Sequence, residues 1–357
     1  MFEAFEVSRF LGRPVRLFVF QRQALIWRYC NADRDLVVDG NTYLAAPIDR
    51  SEIKQTVERA KDKLTITLAY LRDPAAPDMP ATQALGDNWH PYIPSDPIAV
   101  TCLATHYGDT DPPAVEWSGI VTQPSFSDTE LTLTCEQGPA IAEARNQGPK
   151  WQRACWKSVY STGLRGCNLN AAPISIAATL SAVVDSDVTA AEFADPPRAL
   201  VGGTVAWQTP DLVQHTADII AHAGTTLTLD DVTGLIVGSV VTAYTIALWA
   251  DATLTAAAGL VMTAPEFATA PLALDGGWIE WTRLDGLVER RSIMAHSGEY
   301  LEVLYGAADL APGLAVIARP GCQQNWAACL ARGNTINYGG AIYKPRKDPS
   351  ETPMSWT

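Results

Sequence analysis

Four of the seven cysteines lie in two short segments that are rich in Trp, Tyr, Gly and basic residues. Cys155 and Cys167 form a C-x11-C pair in the first segment, and Cys322 and Cys329 form a C-x6-C pair in the second. Four thiolates from two separated segments can hold tetrahedral zinc or a [4Fe–4S] cluster. Such a centre would fasten together two irregular segments that have few apolar residues of their own.

The cysteine spacing leaves three interpretations open. Structural zinc sites usually contain pairs separated by two to four residues, and neither pair here has that spacing. Reduced, buried thiols are the second interpretation, because a free cysteine packs as a small hydrophobic side chain. Disulfides are the third. The opening sequence MFEAFEVSRFLGRP lacks a secretory signal, so we expect synthesis in a reducing cytoplasm, where thiols are favoured.

The remaining residues that could do chemistry give weaker signals. Cys30, Cys102 and Cys135 lie in strand-like sequence and are predicted to be core thiols. His222 and His296 each precede a glycine turn at equivalent repeat positions, so we expect structural roles for them. The sequence contains no G-x-S-x-G, H-E-x-x-H or G-x-x-x-x-G-K-[ST] motif, and we predict no catalytic residue.

The composition limits the class of protein. The 357 residues are 47% hydrophobic, which excludes disorder as the main state. Lys and Arg number 26 against 39 Asp and Glu, giving a net charge of −13. Such an acidic chain is not expected to bind nucleic-acid phosphates over a broad face or to adhere to an anionic membrane.

The middle of the chain is a tandem duplication. ATLSAVVDSDVTAAEFADPPRALVGGTVAW (178–207) aligns without a gap with ATLTAAAGLVMTAPEFATAPLALDGGWIEW (252–281), at an offset of 74 residues. Each copy has strand-like runs and a Gly-Gly turn before a strand that contains Trp. The uncharged stretch 232–250 crosses the junction between the copies. Its β-branched and small residues favour strands over a transmembrane helix, so no stable membrane insertion is expected.

The chain is therefore predicted to be mainly β and multidomain. Residues 1–145 read as alternating strands, with a hairpin turning at Asp39-Gly40-Asn41. The predicted domains are a β domain over 1–145, β module copy 1 over 174–247, β module copy 2 over 248–318, and an irregular Cys-rich lobe made of 146–173 and 319–357.

The sequence WQRACWKSVYSTGLRGCNLN, followed much later by PGCQQNWAACLARGNTINYGGAIYKP, resembles the phage BR0599 family. The N-terminal part resembles the DUF2163 region that accompanies it. Members are tail-tip baseplate hub proteins of siphophages and gene transfer agents, similar to the tail tip protein L of phage lambda. Family members usually have one β module between the cysteine pairs, whereas this chain has two.

The resemblance implies a structural virion protein at the tail tip, assembled in the host cytoplasm. It implies tail-tube-like β-barrel domains, a homotrimer, and a [4Fe–4S] cluster on Cys155, Cys167, Cys322 and Cys329, with zinc as the second choice. It also implies three partners: the distal tail protein, the tape measure protein and a central fibre. Phage DNA would pass through the channel during genome ejection without specific binding. The alternative is a tail-associated iron–sulfur or zinc enzyme, either a redox protein or a hydrolase.

Overall fold

The computed structural model describes residues 12–53, 63–73, 75–137 and 151–344. Residues 1–11, which form most of the opening sequence on which the absence of a secretory signal was predicted, lie outside these ranges, as do residues 146–150 and 345–357 of the predicted Cys-rich lobe. No helix in the described ranges is long and apolar enough to cross a membrane. The chain forms two compact units.

The first unit is built on a nine-stranded sheet. Its strands are β1 (Pro14–Arg22), β2 (Leu25–Cys30), β3 (Leu36–Val38), β4 (Asn41–Ala45), β5 (Ile48–Arg50), β6 (Lys63–Ala69), β7 (Ala99–His106), β8 (Ala114–Phe126) and β9 (Glu130–Glu136). A short helix, α1 (Gln83–Gly86), lies between β6 and β7. The β3–β4 hairpin turns at Asp39-Gly40, both with positive φ, as the sequence predicted.

One segment joins the two ends of this sheet. The strand order is β3-β4-β2-β1-β7-β8-β9-β6-β5. Strand β4 pairs with β2 at one end, and β5, which begins three residues after β4 ends, pairs with β6 at the other. Residues 41–50 therefore close the sheet into a barrel. The main core includes Phe18, Tyr29, Ile66 and Leu133, and a second buried cluster contains Val15, Leu17, Cys30, Tyr43 and Leu103.

The two module copies form two further sheets of seven strands. Copy 1 contains β10 (Ser175–Thr179), β11 (Ala182–Val184), β12 (Asp187–Thr189), β13 (Thr204–Gln208), β14 (Gln214–Ala223), β15 (Thr226–Leu229) and β16 (Val240–Tyr244). Copy 2 contains β17 (Ala250–Thr253), β18 (Ala256–Ala258), β19 (Val261–Thr263), β20 (Trp278–Thr282), β21 (Val288–Ser297), β22 (Tyr300–Val303) and β23 (Ala315–Arg319). The short helix α2 (Pro265–Ala268) matches a 3-10 turn at Ala191–Phe193 in copy 1.

Both copies have the same topology. The order is β10-β16-β13-β14-β15-β12-β11 in copy 1 and β17-β23-β20-β21-β22-β19-β18 in copy 2. Even the register shifts correspond, between Ile219 and Ala221 in copy 1 and between Ile293 and Ala295 in copy 2. The structure confirms the predicted duplication and the mainly β, multidomain fold. The uncharged stretch 232–250 contains β16 and the loop before it.

The second unit contains copy 1, most of copy 2 and the Cys-rich segments. Here α3 (Trp326–Ala331) and a 3-10 turn (Thr335–Asn337) follow β23. The first unit takes in Thr282–Arg290 and Tyr305–Asp309 along with the barrel. The domain bounds inferred from the sequence stay a prediction.

Candidate metal centre

Gln324 links Cys155 to Cys322. The Cys155 amide donates to the Gln324 carbonyl at 2.6 Å, and the Gln324 amide donates to the Cys322 sulfur at 3.4 Å. The Gln324 side chain also donates to the Lys157 carbonyl at 3.5 Å. The first cysteine of the upstream pair therefore lies beside the first cysteine of the downstream pair.

Asn334 makes the same kind of link between Cys167 and Cys329. Its side-chain amide donates to the Cys167 carbonyl at 2.8 Å and to the Cys167 sulfur at 3.3 Å. The Cys329 sulfur donates to the Asn334 carbonyl at 3.1 Å, and the Asn334 amide donates to the Cys329 carbonyl at 3.0 Å. Each cysteine of the upstream pair is therefore linked to one cysteine of the downstream pair.

The end of α3 places Asn334 where it can make these bonds. Gly333 has φ +62°, and a Cβ there would lie 2.1 Å from the Pro197 carbonyl oxygen. Only glycine fits this combination of left-handed backbone and close approach. The turn at Gly333 ends the helix and directs Asn334 back toward Cys329.

A third N–H donor, this one a backbone amide, reaches a sulfur from the segment after the 3-10 turn. The Gly339 amide donates to the Cys155 sulfur at 3.3 Å, and a Cβ on Gly339 would lie 3.0 Å from the Trp156 ring nitrogen and the Lys157 side chain. Cys155, Cys167 and Cys322 thus each accept one N–H hydrogen bond. Such bonds stabilise thiolates and are among the groups that set the potential of iron–sulfur clusters.

Cys329 is affected by the other three cysteines of the lobe. Burial, followed by the charges of Cys167, Cys155 and Cys322, raises the pKa of the Cys329 thiol to about 11, while Arg332 lowers it. All three other cysteines therefore act on Cys329. The Cys329 thiol is therefore protonated at neutral pH, and metal binding there would release its proton.

The described residues include no group of three or more His, Cys, Asp or Glu side chains arranged to hold a single metal ion. The four cysteines are linked in two pairs, Cys155 with Cys322 through Gln324 and Cys167 with Cys329 through Asn334. A single zinc would need every sulfur at about 2.3 Å from one point.

Arg332 supplies a buried positive charge beside the cysteines. It is only 7% exposed, and its guanidinium donates to the carbonyls of Gly321 and Ala328, the residues just before Cys322 and Cys329. Its Nε has no partner, and no carboxylate in the described ranges pairs with it. A desolvated cation without a counter-ion is costly, so a net negative centre fits this position.

A cavity of about 470 Å³ adjoins Cys322. Leu272, Asp275, Gly321 and Arg332 line it together with that cysteine. Tyr160 lies nearby in the same lobe, where its hydroxyl donates to the Pro320 carbonyl at 3.1 Å. Burial raises the pKa of Tyr160 to about 12, so it is a neutral donor.

The structure links each predicted ligand of the first segment to one of the second, through residues that the sequence pattern did not indicate. These residues, with the neighbouring cation, are Gln324, Asn334, Gly339 and Arg332. The ARGNTINYGG run around Asn334 is the one available signal, because glycine and asparagine in a short Cys-rich segment are typical of turns with side-chain-to-backbone bonds.

The other predicted core thiols are confirmed as such. Cys102 and Cys135 are buried in the barrel, and burial raises the pKa of each to about 12. The Cys30 sulfur donates to the carbonyls of Arg34 and Tyr43 at 3.7 and 3.6 Å.

The two repeat histidines also have the expected structural role. His222 Nε2 lies 2.9 Å from the Phe193 carbonyl and 2.8 Å from that of Gly224. His296 Nε2 lies 3.1 Å from the equivalent carbonyls of Phe267 and Gly298. A ring nitrogen between two carbonyl oxygens is a donor, not a metal ligand.

Comparison with known proteins places this chain among phage proteins. The family model described as "Phage conserved hypothetical protein BR0599" matches residues 273–348, which include Cys322 and Cys329. An uncharacterized protein of Xylella fastidiosa (strain 9a5c) is 39% identical over 99% of this chain and 99% of its own length. A chain in the solved virion of a native gene transfer agent particle has the same fold, with a TM-score of 0.51 and 15% identity, over 99% of this chain and 96% of that one. The protein belongs to the phage BR0599 family.

Proposed function

We propose that this protein is a structural baseplate hub protein in the tail tip of a siphophage-like virion, and that its four lobe cysteines hold a [4Fe–4S] cluster. The family membership and the fold shared with a gene transfer agent virion chain support a virion component. The observation on which the proposal rests is the convergence of Cys155, Cys167, Cys322 and Cys329 from two distant segments.

An iron–sulfur cluster fits these residues better than zinc. Hydrogen bonds through Gln324 and Asn334 link the four cysteines in two pairs, and the described residues contain no compact group that would hold a single ion. A multi-iron cluster places several iron and sulfide atoms between its thiolates, so its ligands stand further apart than those of one ion. The N–H donors on three sulfurs and the unpaired charge of Arg332 both suit a centre with net negative charge.

The role of the cluster would be structural. Residues 168–321, which contain both module copies, form the loop between Cys167 and Cys322. A bond network that joins the ends of this loop stabilises the lobe by restricting the unfolded chain. The second module lengthens the loop, but each doubling of loop length costs only about 0.6 kcal/mol more.

The hub would be a homotrimer that joins the tail tube and the distal tail protein to the central fibre. Its barrel would line the channel, enclose the end of the tape measure protein, and let DNA pass during ejection. The net charge of −13 suits a channel wall, because negative charge on the protein repels the negatively charged DNA backbone. We propose no catalytic activity.

Anaerobic purification tests the cluster. We expect a brown protein that contains equal amounts of iron and acid-labile sulfide. Cys322→Ser should lose both, whereas Cys30→Ser, whose hydroxyl can still donate to the Arg34 and Tyr43 carbonyls, should keep them. Zinc in place of iron, or a folded metal-free protein, would contradict the cluster.

A density map of intact particles tests the hub. We expect three copies at the tail tip, with the barrel around the channel. Density for this chain in the capsid, or its absence from particles, would contradict the hub role. Particles made with Cys322→Ser should be fewer or less infectious than those made with Cys30→Ser.

A further inference from the structure

The cavity beside Cys322 is too large to be a packing defect. Its volume is about 470 Å³, whereas voids inside proteins seldom exceed the size of one water molecule. Two segments of the second unit line it. One is the stretch 272–276 of module copy 2, and the other is 321–332, which contains Cys322 and α3.

The equivalent place in module copy 1 holds a large side chain. Pairing with the equivalent strands β13 and β20 aligns β16 of copy 1 with β23 of copy 2. Continuing that alignment past the strand ends matches Ile246 with Gly321. The Ile246 side chain lies 3.2 Å from the position that a Cβ on Gly202 would take, whereas nothing lies within 4 Å of that position on Gly276, the copy 2 equivalent. The isoleucine that covers this glycine in copy 1 is therefore absent from copy 2.

A second difference between the copies affects the same place. The gap-free alignment matches Arg198 of copy 1 with Leu272 of copy 2. Arg198 is only 5% exposed and donates to the Ile246 carbonyl at 3.5 Å, so a long side chain is packed against this segment in copy 1. Copy 2 has the shorter Leu272 and no side chain at Gly321, and both residues line the cavity. The cavity thus follows from residues that distinguish copy 2 from copy 1.

Of the four predicted ligands, Cys322 alone lines this cavity. Cys155 and Cys329 are each 8% exposed. Cys167 is half-buried, and its sulfur accepts from the Asn334 side chain at 3.3 Å. Cys322 is also half-buried, but it has the cavity beside it.

We infer that this cavity is the route by which small molecules reach the proposed centre, with Cys322 as its accessible ligand. The inference rests on the cluster of the proposed function and adds the side from which that cluster can be approached. The lining includes the polar side chains of Asp275, Gln323 and Arg332. A roomy cavity with several polar groups admits water and other small polar molecules.

The molecules that fit are compact polar ligands of iron. The volume lies within the range of cavities that bind small organic molecules, about 300–1,000 Å³. Free iminodiacetate is small enough to enter, whereas the same chelating group attached to a resin bead is not. If iron left only after the lobe opened, the rate of loss would instead be set by that opening and would not depend on the chelator.

Iron transfer from the anaerobically purified full chain tests the inference. Ala328→Leu and Ala273→Phe each place a larger side chain in the cavity lining. Ala327→Leu is the matched control for the first variant, because Ala327 is the neighbouring, exposed residue of α3 and does not line the cavity. Ala199→Phe is the control for the second, because Ala199 is the exposed copy 1 equivalent of Ala273.

We expect the visible absorption of the wild type to decay faster as the concentration of free iminodiacetate rises, and several-fold more slowly with the resin. Both cavity variants should lose iron to free iminodiacetate several-fold more slowly than their controls, while keeping the iron content and thermal melting curve of the wild type. If one variant fails to fold, the other variant and the wild-type comparison of free and resin-bound chelator still decide.

Two results would overturn the inference while the cluster stands. One is an equal rate of iron loss for the cavity variants and their controls. The other is a wild-type rate that depends on neither the concentration nor the size of the chelator. A wild-type protein purified without iron would contradict the cluster itself, and this inference with it.

Discussion

The side-chain amide of Asn334 donates to both the carbonyl and the sulfur of Cys167, a residue 167 positions earlier in the chain. Asn334 also bonds Cys329 through its own backbone. One residue thus holds one cysteine from each pair, which makes Asn334 the positioning residue of the proposed centre.

Asn334→Ala should weaken the centre without removing a ligand. The variant loses the N–H donor to the Cys167 sulfur and leaves the Cys167 carbonyl unpaired, at a cost of about 1–3 kcal/mol. We expect iron to be lost to a chelator several-fold faster than from wild type, measured by the decay of visible absorption. Asn337→Ala is the matched control, because Asn337 donates to the Asn334 side chain and to no sulfur. Equal rates for all three proteins would show that Asn334 has no such role.

Arg332→Met should change the electrostatics of the centre. The buried guanidinium has no carboxylate partner in the described part of the chain, so its removal takes away positive charge beside the cysteines. Less positive charge disfavours the added electron, and the reduction potential of the cluster should fall in a spectroelectrochemical titration.

Arg198→Met is the control for this substitution. Arg198 is 5% exposed and also donates to backbone carbonyls, those of Asn170, Ala172 and Ile246, but it donates to none of the residues next to the cysteines. Its substitution should lower thermal stability and leave the potential near the wild-type value. A potential unchanged in Arg332→Met would contradict the assignment.

Removing either member of the buried ion pair between Arg22 and Glu289 should lower the free energy of unfolding, but by different amounts. Arg22 is fully buried and donates also to Asn88 at 3.0 Å, while Glu289 has a second cation, Arg283, at 3.6 Å. Glu289→Gln leaves the Arg22 charge uncompensated and should lower the free energy of unfolding of the first unit by about 3–5 kcal/mol. Arg22→Met leaves Glu289 with Arg283 and should cost less. Urea denaturation measures both, and the reverse order would contradict this account.

Alkaline pH should destabilise the barrel through its buried thiols. Burial raises the pKa of Cys102 and Cys135 from 9.0 to about 12. In the unfolded chain these thiols deprotonate near pH 9, whereas in the fold they stay protonated. Their contribution to stability is therefore full below pH 9 and falls as the pH rises toward 12.

The buried tyrosines act in the same direction at higher pH. Burial raises the pKa of Tyr29 and Tyr70 from 10.0 to about 12. Denaturant midpoints of the metal-free protein should therefore fall between pH 9 and pH 11. Cys135→Ala should show a shallower fall than wild type, even though its stability at pH 7 is lower because of the cavity left behind. An equal slope would show that the Cys135 thiol is not responsible.

The class of fold follows from the amino-acid sequence alone. Alternation of apolar residues marks a strand because successive side chains point to opposite faces, and the 74-residue repeat shows directly that one module occurs twice. The hairpin at Asp39-Gly40 was visible because few other residues tolerate positive φ at both positions. The four candidate cysteines could also be identified from their local surroundings in the sequence.

How these parts combine depends on the folded chain. Sequence spacing could not show that Cys155 lies with Cys322 and Cys167 with Cys329, because each pairing spans both module copies. Nor could it show that Arg332 is buried or that module copy 2 leaves a cavity beside Cys322. Local propensity depends on a few neighbouring residues, whereas contacts between distant segments depend on how the sheets pack, and that is fixed only when the whole chain folds.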